Sequence, residues 1–185
     1  MPTTQQDIAL NQVKDWLENI VIGLNLCPFA KKPFKQKQIH YLVTDSTNDY
    51  DLLTELYDQL VLLDNAAESE IETSIIIMTE HLIDFDQYND FLDLADQLID
   101  NNDWRGVFQI ASFHPDYQFA GTNPADAENL TNRSPFPLLH LLRENSLDKA
   151  VESHPNVDAI PQQNILKMNQ LTKQQISELF HYLPD

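Results

Sequence analysis

Glycine is scarce in this sequence: Gly23, Gly106 and Gly121 are the only three in 185 residues. That scarcity leaves no glycine-rich phosphate loop, so P-loop and Rossmann nucleotide binding drop out. Cysteine is scarcer still. Cys27 stands alone and cannot form an intrachain disulfide, so nothing points to an oxidising compartment. No run is long or apolar enough to span a bilayer. The opening MPTTQQDIALNQ lacks the basic start and apolar stretch of a signal peptide. The simplest location is the cytoplasm. Positive charge is also in short supply, with 11 Lys and Arg against 29 Asp and Glu, for a net charge of -18. That balance disfavours nucleic acid and anionic membranes as partners, because both are held through basic surface. The sequence contains no HExxH, CxxC or GxSxG.

What is present suits a globular protein. Apolar residues make up 42% of the chain, enough for a core, and no repeat or low-complexity linker divides it. The expectation is one domain spanning residues 1–185. From Thr4 to Leu24, Val13, Trp16, Leu17, Ile20, Val21 and Leu24 recur with the period of a helix face. QIHYLVT, residues 38–44, reads as a strand. Leu52, Leu56, Leu60 and Leu63 mark a second helix. SIIIMTE, residues 74–80, is a continuous apolar run suited to a strand buried on both faces. Phe85, Tyr88, Leu92, Ala95 and Ile99 mark a third helix, with seven aspartates from Asp84 to Asp103 falling mostly on its other side. An EF-hand is excluded there, because the loop glycine and terminal glutamate are missing. The aspartates read as a solvated face. VFQIASF, residues 107–113, is a third strand.

Strands separated by helices predict an α/β fold, with a small, mainly parallel sheet of about three strands and helix-rich ends. Beyond residue 123 the chain reads helical. Ser134 and Pro135 look like the cap and first residue of a short helix. Pro161 opens another, and Thr172 with Gln175 makes a capping box for the last.

The few cations are clustered. Four lysines fall in KKPFKQK, at Lys31, Lys32, Lys35 and Lys37, and the three arginines are Arg105, Arg133 and Arg143. In TNRSPFPLLHLLREN, a helical reading puts His140, Arg143 and Glu144 side by side, opposite an apolar face of Leu138, Leu141 and Leu142. Arg133 and Arg143 then offer forks for a phosphate or carboxylate, with Asn132 and Tyr117 as further substrate contacts. His114 follows the third strand at the edge where α/β sheets usually bind ligands. His114 and His140 are the acid/base candidates. Cys27, read as the N-cap of a helix starting at Pro28, is a candidate nucleophile with a lowered pKa. His114, His140, His154 and Cys27 are candidate ligands for a divalent metal, if two or three of them converge. Each has a blander reading. Cys27 suits an inert buried side chain, and the arginines suit a latch that bonds backbone carbonyls at irregular joints.

Four segments together, GLNLCPFA, ASFHPDYQFAG, TNRSPFPLLHLLRE and IPQQNI, resemble the mostly bacterial family known as domain of unknown function 1415. The resemblance runs from about Trp16 to Leu171. It implies that Cys27-Pro28-Phe29, His114-Pro115, the stretch around Asp126 and Asn129, and Thr131 to Glu144 are signature segments. It carries no activity with it. The functional expectation is an enzyme with a His/Arg-lined pocket for an anionic small molecule. The alternative is a non-catalytic binding or regulatory module with its acidic surface facing a partner.

Overall fold

The computed structural model describes residues 4–154 and 156–183. Helix α1 (Gln5–Trp16) starts at a Thr4/Asp7 capping box and runs into a π-helical turn, Leu17–Ile22. A short α2 (Lys31–Lys35) leads to strand β1 (Ile39–Thr44). Then come α3 (Asp49–Asn65), β2 (Thr73–Met78), α4 (Phe85–Asn101) and β3 (Phe108–Phe113). Asn48 and Asp84 cap α3 and α4, each side chain accepting from a backbone N–H in the first turn; such caps are worth about 1 kcal/mol. The aspartates from Asp84 to Asp103 are all exposed, as a solvated face should be.

The α/β class and the first three strands stand where the apolar periods put them. The remainder differs from the helical expectation. Leu138–Arg143 is a fourth strand, β4, followed by α5 (Glu144–Ser153), α6 (Ile160–Gln170) and α7 (Lys173–Leu179). The sheet order is β1-β2-β4-β3. β1 and β2 are parallel, while β4 pairs antiparallel with both β2 and β3. The sheet is therefore mixed and four-stranded. The α4 crossover skips one position, and β4 fills it. LLHLLR holds leucines on both sides because, like TSIIIM, it is covered on both faces. The helical reading treated that all-round apolarity as one stripe.

Two cores follow from the alternation along the strands. On the first face, Ile76, Met78, Phe108, Leu139 and Leu141 meet α3 and α4 through Leu52, Leu56, Leu60, Tyr88 and Phe91. On the second, Ile75, Ile77 and Leu138 meet α1, the π turn and the C-terminal region through Val13, Trp16, Ile20, Met168 and Phe180. His140 pairs with Ile75 and Ala111, so it lies on the second face. Arg143 is an odd number of residues along and lies on the first, over the ring of Phe108 at 5.8 Å. The two cannot line one pocket.

Candidate functional site: the loop from His114 to Pro137

Between β3 and β4 the chain makes a long connection, with a 3-10 turn at Ala127–Thr131. It carries several of the predicted site residues. It is held by side chains bonded to backbone rather than by a regular ladder. Asn129, fully buried, accepts from Phe119 N (3.0 Å) and Thr122 Oγ1 (2.9 Å) and donates Nδ2 to Asn123 O (2.8 Å). Asn132 donates Nδ2 to Ser112 O (3.1 Å), while its Oδ1 accepts from Thr131 Oγ1. The backbones of His114 and Ser134 or Asn132 pair directly. Tyr88, from α4, donates its hydroxyl to Leu138 O (2.6 Å) and accepts from Phe113 N (3.0 Å), so one phenol bridges β4 and β3. Trp16 Nε1 and Tyr182 Oη both donate to Arg133 O at 3.1 Å, fastening the loop to α1 and to the C-terminal region.

His114 is fully buried, and both ring nitrogens are in use. Nε2 lies 3.0 Å from Leu82 O, and Nδ1 accepts from Asp116 N at 3.0 Å. This pattern fixes the neutral tautomer with the proton on Nε2. Burial lowers its pKa, against an opposing pull from the Leu82 carbonyl. Leu82 has φ 56, an uncommon left-handed conformation for a bulky residue. The bond from His114 holds that turn. In this arrangement His114 has no free nitrogen for the acid/base or metal-ligand role expected of it.

Arg143 is the predicted latch. Its Nη2 donates to Leu63 O (2.5 Å), Ala66 O (3.0 Å) and Ile71 O (3.1 Å), closing the end of α3 and the approach to β2. Only Nη2 is used in this way, and Nε is buried without a partner; Arg143 and His140 lie on opposite faces of the sheet, so the two do not form the side-by-side pair that a helical reading expected. His140 keeps Nε2 buried and without a partner, and burial pushes its pKa down to about 4. His154 Nδ1 is likewise buried and unpartnered, with its ring 5.8 Å from that of Phe29.

Cys27 is half-buried in a turn, and α2 begins only at Lys31, so it is not the cap of that helix. Burial raises the thiol pKa, with backbone N–H groups of Phe29 and Ala30 working the other way. Among the described residues, no three His, Cys, Asp or Glu side chains gather as metal ligands.

Arg133 is different. It is half-buried, and Nε donates to Tyr117 O (3.2 Å) and Nη2 to Pro124 O (2.8 Å). Nη1 makes no hydrogen bond among the described residues. No carboxylate there comes within ion-pair distance, although Asp116 is near enough to act on its charge; burial, the larger effect, lowers its pKa. In the same loop, the Tyr117 hydroxyl has one long contact, 3.4 Å to Ser112 Oγ, and its ring sits between Phe85 (5.3 Å) and Phe119 (5.0 Å). Lys31, Lys32, Lys35 and Lys37 are exposed and unpaired among the described residues. They supply diffuse positive charge without an enclosing wall.

Fold and loop define a mixed α/β protein whose β3–β4 connection is pinned by buried side chains and keeps one arginine with spare donors. The chain belongs to the family described as "Protein of unknown function (DUF1415)", whose model matches residues 8–178. No curated protein and no solved structure matches this chain. No helix among the described residues is long and apolar enough to cross a membrane.

The predicted residues thus separate. Asn132, Arg133, Tyr117 and His114 share one loop, whereas Arg143, His140 and Cys27 are held elsewhere by other elements. Asn129 stood out only through the family resemblance, and Tyr88 read simply as core. The OH-to-backbone bridge of Tyr88 left no periodic trace to read.

Proposed function

We propose that this chain, working as a single cytoplasmic domain, binds a small anionic molecule at Arg133. The observation that carries the reading is the state of Arg133. In a chain of net charge -18, it is a half-buried guanidinium with no carboxylate in ion-pair range among the described residues. Two of its nitrogens are braced on backbone carbonyls, so its plane is fixed before any ligand arrives. A braced fork is what recognition of a carboxylate or phosphate uses. The same charge balance speaks against nucleic acid as the ligand.

Binding is the function this geometry supports best. Catalysis is the second reading, favoured by the neutral, unpartnered Nε2 of His140. It requires that nitrogen to reach the bound molecule. A divalent metal would have to be held by fewer than three of the protein's own side chains among the described residues, with ligand oxygens completing its shell.

The test is a titration with inorganic phosphate and with succinate, followed by backbone amide shifts. Saturable shifts confined to Tyr117, Ala125 and Arg133, with affinity lost at least tenfold in Arg133→Gln, support the proposal. Equal binding by Arg133→Gln, or no saturation with either anion, overturns it.

A further inference from the structure

The sheet has two free edges, β1 and β3, and the chain treats them differently. In the parallel β1–β2 ladder, residues that bond to the partner alternate with residues that face away. Thr44 O accepts from Thr79 N, so Thr44, Leu42 and His40 face β2. Ile39, Tyr41 and Val43 therefore turn their N–H and C=O groups to the outside. Among the described residues, no loop backbone or side chain bonds to any of these groups. On β3 the outward groups are partly used: Phe108 N donates to Trp104 O, and Ser112 O accepts from Asn132 Nδ2.

β1 also lacks the devices that keep an edge from pairing. Ile39–Thr44 reads IHYLVT, with no proline, lysine or carboxylate. Its register with β2 runs unbroken from Ile39↔Thr73 to Thr44↔Met78, so no bulge turns it aside. Ile39, Tyr41 and Val43 lean on the second core yet stay half-buried, which leaves apolar area for a neighbour to cover. Charge flanks the strand in opposite senses. Lys31, Lys32, Lys35 and Lys37 precede it, all exposed, and the exposed Asp45 follows it. None of these five is in an ion pair among the described residues.

We infer that β1 is a dimerisation edge, which pairs antiparallel with β1 of a second copy about a two-fold axis at Tyr41. In that register Tyr41 faces its own counterpart and Ile39 faces Val43 of the other copy. Each facing pair exchanges two backbone hydrogen bonds, and the two sheets join into one. The same register carries Lys37 of each copy to Asp45 of the other. Antiparallel pairing thus sets a basic end against an acidic end twice, whereas parallel pairing sets lysines against lysines. An unrelated extended peptide meets the same free backbone groups, but this chain already carries the complementary charges in register. The net charge of -18 opposes self-association at long range. At physiological ionic strength that repulsion is screened beyond about 8 Å, and the contacts at the edge itself are attractive. The inference stands apart from the anion site, since Arg133 has no part in it.

Sedimentation equilibrium of the full chain at physiological ionic strength, over about 5–500 μM, spans the affinity expected of so small an interface. The expected result is a reversible monomer–dimer equilibrium. Ile39→Pro removes an outward N–H that β2 does not use, at a first strand position where proline is tolerated. With its circular dichroism intact, that variant should dimerise at least tenfold more weakly. Lys37→Glu alone and Asp45→Lys alone should each show a loss of the same size, because like charges then face each other at both ends. Mixing these two variants should restore dimerisation, since both contacts are attractive again in the mixed pair. A chain that stays monomeric over this range, a folded Ile39→Pro variant that dimerises as the parent does, or a mixture no tighter than its separate components overturns the inference.

Discussion

The unit from β1 to β3 and the segment from His114 to Arg143 are built by different forces. In the first, α3 and α4 lay leucine and aromatic stripes on one face of the sheet, and almost every contact that matters is apolar. In the second, Asn129, Asn132, His114, Arg133 and Arg143 each reach backbone groups, several of them far away in sequence. Hydrophobic burial is non-directional and repeats with the helix or strand. Side-chain-to-backbone bonds are directional and follow no period. The first unit is therefore specified by pattern, and the second by individual residues whose loss leaves buried polar groups unsatisfied.

That contrast sets the expected size and reach of substitutions. Leu56→Ala, in the apolar unit, should cost about 2–5 kcal/mol through the lost transfer energy and the cavity left behind. Its effect should be global, visible as faster hydrogen exchange throughout both cores. Arg143→Ala should cost about 3 kcal/mol, because the carbonyls of Leu63, Ala66 and Ile71 lose a charged donor inside the protein. Chemical denaturation measures both. Asn129→Ala should cost about 2 kcal/mol, but with a local signature: new protease cuts between residues 114 and 133 while β2 amides stay protected. Global exposure instead would place the loop within the same cooperative unit as the cores and dissolve the comparison.

The smallest of these effects at neutral pH concerns His140. Its folded pKa, about 4, lies below the ordinary value of 6.5, so the unfolded chain takes up the proton first as the pH falls. This proton linkage costs nothing above about pH 6.5 and destabilises the fold increasingly down to about pH 4, by roughly 3 kcal/mol at most. His114, shifted the same way by burial, adds to the same acid limb. His140→Leu should raise stability at neutral pH by about 1 kcal/mol, by removing an unpartnered buried nitrogen. It should also flatten part of the pH dependence across that window. Denaturation midpoints collected from pH 4 to 7.5 check both effects.

How far the sequence could be read follows the same division. Three strands, their intervening helices and the Thr172 capping box were legible because burial and capping leave short-range marks. β4 was missed because leucine favours helices in isolation and the Ser134-Pro135 pair resembles a helix start. Its place between β2 and β3 is a long-range fact. At the candidate site, the choice of Arg133 survives as a proposal. His114 was rightly placed just past the end of β3, but its two bonds depend on Leu82 and on the turn to Asp116. The spacing of His140, Arg143 and Glu144 held meaning only for a helix, and in a strand it sends His140 and Arg143 to opposite faces. The latch reading of the arginines describes Arg143, whose Nη2 meets three carbonyls around the end of α3, and also the two bonds of Arg133 to the Tyr117 and Pro124 carbonyls.

The central claim is that Arg143, through Nη2, braces the fold from a half-buried position, while Arg133 holds the donors for a ligand. Thermal unfolding of Arg143→Met and Arg133→Met, each with and without excess inorganic phosphate, tests it most directly. The account predicts that Arg143→Met melts well below the parent, by about 2–4 °C for each kcal/mol lost, yet is still stabilised by phosphate. Arg133→Met, which loses its bonds to the Tyr117 and Pro124 carbonyls, should melt below the parent by less than Arg143→Met does and gain nothing from phosphate. The reverse pattern, a fold that depends on Arg133 and an anion response that depends on Arg143, would contradict it.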